Sequence, residues 1–109
     1  MYIYNVTINI DESIHAEWLT WIESHIPEVL ATGRFISAKL TQVLVEEELG
    51  GVTYSVQYTA KTRKDLDNYY KHDADKLRTD GMKKFADKML AFRTELRVIN
   101  EFYPIVSSN

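Results

Sequence analysis

Two stretches of the chain alternate regularly between apolar and polar side chains. From Tyr2 to Ile10 and from Val52 to Ala60, every second residue is apolar, and those between are mostly Asn, Gln, Ser or Thr. Because successive side chains of a strand point to opposite faces, each stretch predicts a strand with one apolar and one polar face. One face of the sheet therefore belongs against a core. The other carries hydroxyls and amides in place of the Lys and Glu that are typical of a solvated surface.

The first helix is predicted directly after the first strand. Asp11 or Ser13 can cap its beginning, and its apolar residues recur at spacings of three and four, as in an amphipathic helix. Those residues are Ile14, Trp18, Leu19, Ile22 and Ile26. Pro27 removes a backbone donor, so the helix is expected to end or kink there.

A hairpin and a second helix are predicted next. Residues 35–48 are rich in β-forming residues, and Gly50-Gly51 supplies the positive φ angles that a tight turn to the following strand needs. The acidic residues 46–48 are expected to form a solvated hairpin end. The second helix is predicted to begin at Thr62, where a capping pattern starts, and to end at Gly81.

The final strand is predicted to add charged side chains to the polar face of the sheet. Leu90, Phe92 and Leu96 are expected to face the core, so the charged residues between them lie on the other side. The candidate cavity-lining residues on that side are Asn5, Thr7, Asn9, Ser55, Gln57, Arg93, Glu95 and Arg97. Arg93 and Arg97 can clamp a carboxylate or phosphate, or they can pair with Glu95.

The order strand, helix, strand, strand, helix, strand indicates the fold class. It is the order of the α+β ferredoxin-like βαββαβ sandwich, in which a four-stranded antiparallel sheet carries two helices on one face. The uncovered face can meet water, bind a ligand or nucleic acid directly, or pack against a second copy of the chain. Its low charge favours the second copy. The sequence therefore predicts a homodimer of the dimeric α/β-barrel type.

Composition limits the partners and the location of the protein. With 109 residues and 45% hydrophobic content, the chain predicts a single domain over 1–109, with a tail at 104–109 that is expected to fray. The net charge of -3 disfavours nucleic acid, and four tyrosines share the parity of the core rather than that of a base-stacking face. They are Tyr2, Tyr4, Tyr54 and Tyr58. No membrane span or leader pattern is found, so the expected location is cytoplasmic.

Few residues are candidates for chemistry. His25, beside the predicted helix break, can act as an acid or base at a cavity mouth or can cap the helix end. His72 can be an acid or base beside Asp73 or a haem ligand, or it can lie on a solvated helix face. Trp18 and Trp21 can wall an apolar ligand pocket or divide between core and interface. No spacing fits a metal site, no nucleophile motif is present, and no cofactor is predicted.

Four segments carry a resemblance to a known family. They are MYIYNVT at 1–7, HIPEVLATG at 25–33, YSVQY at 54–58 and AFRTEL at 91–96. Together they resemble an uncharacterised family of short bacterial proteins, known only as a domain of unknown function. That family is similar in layout to the dimeric α/β-barrel group, which includes cofactor-less monooxygenases, small haem-degrading enzymes, polyketide cyclases and stress-responsive barrels. The resemblance implies the fold and supplies no catalytic residues.

Two functions fit these patterns. The first is a small homodimeric α/β-barrel protein that binds a small organic ligand or acts as an interaction module, without catalysis. The alternative is a cofactor-independent monooxygenase or cyclase-like enzyme, in which Asn5, His25, His72 or a tyrosine positions an aromatic or polyketide-like substrate. An enzyme requires an enclosed space with a titratable group directed into it.

Overall fold

The computed structural model describes residues 1–45 and 50–105. Its strands are β1 (Tyr2–Ile10), β2 (Ser37–Gln42), β3 (Val52–Ala60) and β4 (Met89–Arg97). Its α-helices are α1 (His15–Ala31), α2 (Arg63–His72) and α3 (Ala74–Phe85). Short 3₁₀ turns at Glu12–Ile14 and Ala86–Lys88 lead into α1 and β4. The predicted order of elements is confirmed, except that the second helix is divided in two.

The four strands form one antiparallel sheet in the order β2-β3-β1-β4. β1 is a central strand, and its Tyr2 lies between Ala60 of β3 and Arg97 of β4. Strands β2 and β4 form the two edges. This is the α+β ferredoxin-like arrangement that the sequence predicts.

The apolar faces of β1 and β3 are buried beneath the helices, as predicted. Their core residues are Tyr4, Val6, Ile8, Ile10, Tyr54, Val56, Tyr58 and Ala60. From α1, the side chains of Trp18, Ile22 and Val29 pack into the same core. Each large apolar side chain buried in this way contributes about 1.5–3 kcal/mol. Three of the four tyrosines predicted to face the core are fully buried there, and Tyr2 is partly buried.

Two residues interpreted as helix breakers lie inside helices. α1 continues through Pro27 to Ala31. Pro27 has no N–H to donate to the backbone carbonyl of Glu23. Both residues are exposed, so water can donate to this carbonyl instead. Gly81 is part of α3, so the predicted helix end at Gly81 is wrong. The break falls instead at Asp73, between α2 and α3.

The predicted beginning of the second helix is confirmed. The Thr62 side chain accepts a hydrogen bond from the backbone N–H of Asp65 (3.1 Å), as the capping pattern requires. In the hairpin, Gly50 and Gly51 have φ angles of 80° and 84°. The acidic residues 46–48 and the tail residues 106–109 lie outside the described residues. Among the described helices, none is long and apolar enough to cross a membrane.

The face assigned to β4 from its sequence is wrong by one residue. Val6, in the core, lies opposite Arg93, and Tyr4 lies opposite Glu95. Because paired residues share a face of the sheet, Arg93, Glu95 and Arg97 lie on the helix side. The residues on the uncovered side are Leu90, Phe92, Thr94 and Leu96. The alternation of apolar residues identifies the core face of a strand only when the helices cover its apolar face. In the edge strand β4, the apolar face is the uncovered one.

Candidate functional site

The uncovered side of the sheet, named the open face, carries polar groups that bond to one another. The structure places together on it Asn5, Thr7, Asn9, Ser55 and Gln57, as their parity predicts. The side-chain amide of Asn9 donates to the Thr53 hydroxyl (3.1 Å), and the Ser55 hydroxyl donates to the side-chain Oδ1 of Asn5 (2.6 Å). These groups therefore have partners within the chain. Their role in lining a cavity stays a prediction.

Strand β4 adds an apolar strip to the open face. Leu90, Phe92 and Leu96, together named the β4 strip, expose 57%, 60% and 44% of their surface. Further exposed apolar side chains follow the strand at Ile99, Phe102, Tyr103 and Ile105. Several exposed apolar side chains on one face make that face a candidate for an interaction site.

A cavity lies on the other side of the sheet, beneath the helices. Its volume is about 50 Å³, counted as the space open to the centre of a water molecule. Ile8, Ile22, Val56 and Leu77 belong to its apolar wall. Its aromatic and polar groups include Tyr4, Trp21, His25, Arg78 and Arg93.

Two arginines meet at one hydroxyl in this cavity. Arg78 of α3 donates from Nη2 to the Tyr4 oxygen (2.9 Å), and Arg93 of β4 donates from Nε to the same oxygen (3.0 Å). The guanidinium carbon of Arg78 also lies 6.0 Å and 5.9 Å from the ring centres of Tyr4 and Tyr70, within cation–π range. Tyr4, Arg78 and Arg93 are named the Tyr4 cluster.

The Tyr4 cluster has more donors than acceptors. Among the described residues, neither of its arginines pairs with a carboxylate, whereas Arg34 pairs with Asp73 (3.0 Å) and Arg63 with Glu95 (2.7 Å). The Nε of Arg78 is buried and has no hydrogen-bond partner in the described part of the chain. A buried donor left without a partner costs about 1–3 kcal/mol. The cluster therefore holds uncompensated positive charge and a free donor.

His25 lies in the cavity wall. Its ring stacks on Trp21, with centroids 4.3 Å apart and planes inclined by 19°. Burial lowers the pKa of His25, although the nearby Glu28 and Asp80 act in the opposite direction. The imidazole is therefore neutral at pH 7. Because α1 continues to Ala31, His25 does not cap the helix end.

Two further tyrosines face the cavity with protonated hydroxyls. Burial raises the pKa of Tyr58 and of Tyr69, so both can donate hydrogen bonds at neutral pH. Among the described residues that line the cavity, there is no Asp or Glu. The space thus offers guanidinium groups, neutral hydroxyls and a neutral imidazole to a ligand.

Gly81 sets the distance between α3 and the cavity wall. A Cβ at this position would lie 2.9 Å from Cη2 of Trp21 and 3.1 Å from Cε of Met89, and both of these residues line the cavity. Any larger residue would displace the wall. Close helix packing therefore explains a glycine in the middle of α3.

The remaining predicted site residues lie outside the cavity. Glu95 accepts a hydrogen bond from the Tyr70 hydroxyl (3.0 Å) and pairs with Arg63. Arg97 and His72 are exposed. In the part of the chain that the structure describes, no group of His, Asp and Glu is arranged to hold a metal ion.

Sequence analysis missed Tyr4 and Arg78 as functional candidates. Tyr4 has the parity of an ordinary core residue, so its shared hydroxyl gives no sequence signal. Arg78 does give one, because it follows Ala74 by four residues and precedes Gly81 by three, and both of these are buried in α3. A charged residue within the apolar stripe of a helix indicates an internal partner or a site.

Solved structures with distant sequences share this fold. A dimeric ferredoxin-like protein from an uncultured marine organism has a TM-score of 0.73 at 12% identity, covering 93% of this chain and 97% of that one. A protein from Deinococcus radiodurans, thought to be an antibiotic biosynthesis monooxygenase, has a TM-score of 0.62 at 13% identity, covering 98% and 100%. A hydroxynitrile lyase from Passiflora edulis has a TM-score of 0.59 at 16% identity, covering 94% and 97%. At these identities the likeness shows the fold alone.

The sequence also matches a family profile over nearly its whole length. Residues 1–99 match DUF4286, a domain of unknown function. No curated protein matches the sequence. The resemblance to a family of unknown function, drawn from four short segments, is thereby confirmed.

Proposed function

Because this chain belongs to the DUF4286 family, whose function is unknown, we propose a function from its own geometry. The protein is a homodimer that binds a small organic ligand in the cavity between sheet and helices. The observation that carries the proposal is the Tyr4 cluster, where Arg78 and Arg93 converge on one hydroxyl beside an apolar wall.

The composition of the cavity supports a ligand. Binding sites for small molecules combine a mostly apolar wall with a few convergent polar groups. Here the apolar wall includes Ile8 and Leu77, and the polar groups are those of the Tyr4 cluster and His25. Arg78 and Arg93 both line this cavity, and neither pairs with a carboxylate among the described residues.

The open face supports the homodimer. No helix covers it, and the β4 strip exposes three large apolar side chains on it. A second copy of the same face can cover this strip in a two-fold interface. The marine protein with the same fold is described as dimeric, which agrees with this arrangement.

The proposal also keeps two expectations from the sequence. The location is cytoplasmic, which suits a chain without Cys that needs no oxidising compartment. Nucleic acid is not a partner, since the net charge is -3 and Tyr4, Tyr54 and Tyr58 are buried.

A second candidate function is that of a cofactor-independent enzyme acting on an aromatic or polyketide-like substrate. The observation that favours it is His25, a neutral imidazole in the cavity wall that can accept a proton at neutral pH. It ranks second because the described residues that line the cavity with His25 include no Asp or Glu that could act as a second acid or base. Turnover without added cofactor that is lost in His25→Gln would reverse this ranking.

Native mass spectrometry of gently purified protein tests both parts of the proposal. We expect a dimer that carries a defined extra mass. A bare dimer that also fails to take up any added small organic molecule would contradict the ligand. A monomer at micromolar concentration would contradict the homodimer.

A matched pair of variants tests the interface. Phe92→Glu places a charge in the β4 strip, and Met82→Glu places the same charge on α3 at a residue that is similarly exposed (65% against 60%). We expect Phe92→Glu to raise the dimer dissociation constant by about thirtyfold or more, as for an interface hot spot. Met82→Glu is expected to leave it unchanged. Equal effects in sedimentation equilibrium would place the interface elsewhere.

A further inference from the structure

The charges of the Tyr4 cluster indicate which kind of ligand the cavity takes. Arg78 and Arg93 bring two positive charges to a single neutral oxygen, the Tyr4 hydroxyl. Arg78 is half-buried and Arg93 is exposed, so water screens only part of the repulsion between the two charges. No described carboxylate lies within ion-pair distance of either guanidinium. An anionic ligand would remove this repulsion.

We propose that the cavity binds a small monocarboxylate, with its carboxylate on Arg78 and Arg93 and its carbon chain against the apolar wall. This inference rests on the proposed function, in which the same cavity holds an organic ligand. A carboxylate is planar and accepts two parallel hydrogen bonds from one guanidinium. Both guanidinium groups belong to the cavity lining, and each has further N–H donors beyond the one that it gives to Tyr4.

The other groups of the cavity favour a monocarboxylate over other charged ligands. A cation is disfavoured because the described lining contains guanidinium groups and no Asp or Glu. Inorganic phosphate carries more charge and needs donors on several sides, whereas one side of this space is built from Ile8, Val56 and Leu77. The apolar wall instead matches a short hydrocarbon chain.

The size of the cavity limits the length of that chain. Its volume is about 50 Å³, and on this measure one water molecule needs roughly 10–15 Å³. The space therefore holds about three to five water molecules, or a ligand as large as acetate or propionate. A longer carboxylate would have to displace a wall residue such as Trp21 or Met89.

The test is a titration followed by NMR of the two tryptophan indole N–H groups. Trp21 lines the cavity and reports binding, while Trp18, which is buried and is not among the lining residues, serves as an internal reference. The probes are propionate, its neutral amide propionamide, and inorganic phosphate, at constant pH and chloride concentration. We expect saturable shifts of the Trp21 signal with propionate, and binding of propionamide that is at least about tenfold weaker.

Variants assign the effect to the cluster. Arg78→Gln and Arg93→Gln are each expected to weaken propionate binding by about tenfold or more, because each removes a charge-assisted hydrogen bond. Arg97→Gln is the matched control, since Arg97 lies on β4 with Arg93 but outside the cavity. It is expected to change the affinity less than about twofold. If Arg78→Gln fails to fold by circular dichroism, the more exposed Arg93 still provides the test.

Each remaining outcome overturns a defined part of the inference. Equal binding of propionate and propionamide would refute the anion site and leave the proposed ligand cavity intact. Tighter binding of phosphate than of propionate would refute the carboxylate. Equal losses in Arg93→Gln and Arg97→Gln would refute the role of the Tyr4 cluster. If no probe shifts the Trp21 signal, the monocarboxylate inference is contradicted, and the proposed ligand cavity is then decided by the native mass spectrometry described above.

Discussion

The two sides of the sheet differ in how their polar groups are hydrogen-bonded. On the open face, Asn5 and Ser55 bond to each other, and Asn9 bonds to Thr53. On the helix side, two arginines share one acceptor, and the Nε of Arg78 has none. Several polar groups of the open face thus bond to each other, whereas a buried donor on the covered side has no partner among the described residues.

This difference shows that the number of polar residues on a surface does not indicate whether the surface binds a ligand. A group that already has a partner gains little from binding, because one hydrogen bond replaces another. A buried donor without a partner gains the whole bond. This difference supports our proposal that the open face serves assembly and the covered side serves binding, and the following changes test it.

The largest effect is expected from truncation on the covered side. Ile10→Ala removes most of a side chain that is fully buried, which should lower the free energy of unfolding by about 2–5 kcal/mol. Thr7→Ala, on the other face of the same strand, removes only an acceptor for the Asn5 amide and should cost less than about 1 kcal/mol. Urea denaturation measures both. Similar losses would remove the distinction between the two sides.

A smaller effect is expected from removal of a single oxygen in the Tyr4 cluster. Tyr4→Phe leaves donors of both Arg78 and Arg93 without their acceptor and should lower the free energy of unfolding by about 1–3 kcal/mol. Tyr2→Phe removes a hydroxyl from the same strand and the same face, and should cost less than about 0.5 kcal/mol. Thermal unfolding of the two variants compares them directly. Equal losses of unfolding free energy in Tyr4→Phe and Tyr2→Phe would show that the two arginines do not depend on the Tyr4 hydroxyl.

The bonds of the open face should be measurable as a modest coupling. The Ser55 hydroxyl donates to Asn5 at 2.6 Å, so a double-mutant cycle of Asn5→Ala and Ser55→Ala should give a coupling free energy of about 0.5–1.5 kcal/mol. Chemical denaturation of the two single variants and the double variant supplies the cycle. Purely additive losses would mean that these groups do not satisfy one another.

The smallest effect is expected from pH. The pKa of His25 is lowered from 6.5 by burial, against opposing contributions from Glu28 and Asp80. Below pH 6.5 the unfolded chain therefore takes up this proton more readily than the folded protein. The contribution of His25 to the free energy of unfolding should be fully present above the pKa that His25 has in the unfolded chain. It should be lost as the pH falls through the lower pKa of His25 in the folded protein.

His25→Phe isolates this contribution, because it keeps a ring beside Trp21 and removes the titration. Unfolding free energies at about pH 7.5 and about pH 5 should differ less for the variant than for the original protein. Titration of the other groups is common to both proteins and cancels in the comparison. An equal loss in both would show that the burial of His25 has no influence on stability.

Sequence patterns predicted those parts of the molecule where local and tertiary preferences agree. The alternation from Tyr2 to Ile10 and from Val52 to Ala60 gave the correct faces because central strands are covered by the helices. The cap at Thr62 and the positive φ angles of Gly50 and Gly51 were predictable because both depend on local backbone preferences.

The errors occurred where tertiary packing overrides a local signal. In β4 the apolar residues, Phe92 among them, face away from the core, and nothing in the strand itself reveals that this side is free for a partner. The cavity was likewise beyond prediction, because it joins Tyr4, Arg78 and Arg93 from three elements that are distant in sequence. Only the position of Arg78 on the apolar stripe of α3 offered a hint.

Gly81 has a consequence for the evolution and engineering of this protein. A glycine within a helix costs about 1 kcal/mol relative to alanine, so a search for stabilising substitutions would select this position early. Yet the methyl group of alanine would lie 2.9 Å from Trp21, in the cavity wall. At this single position, a gain in helix stability and the preservation of an internal space oppose each other. A substitution that strengthens the helix at Gly81 would therefore also change the cavity that we propose as the binding site.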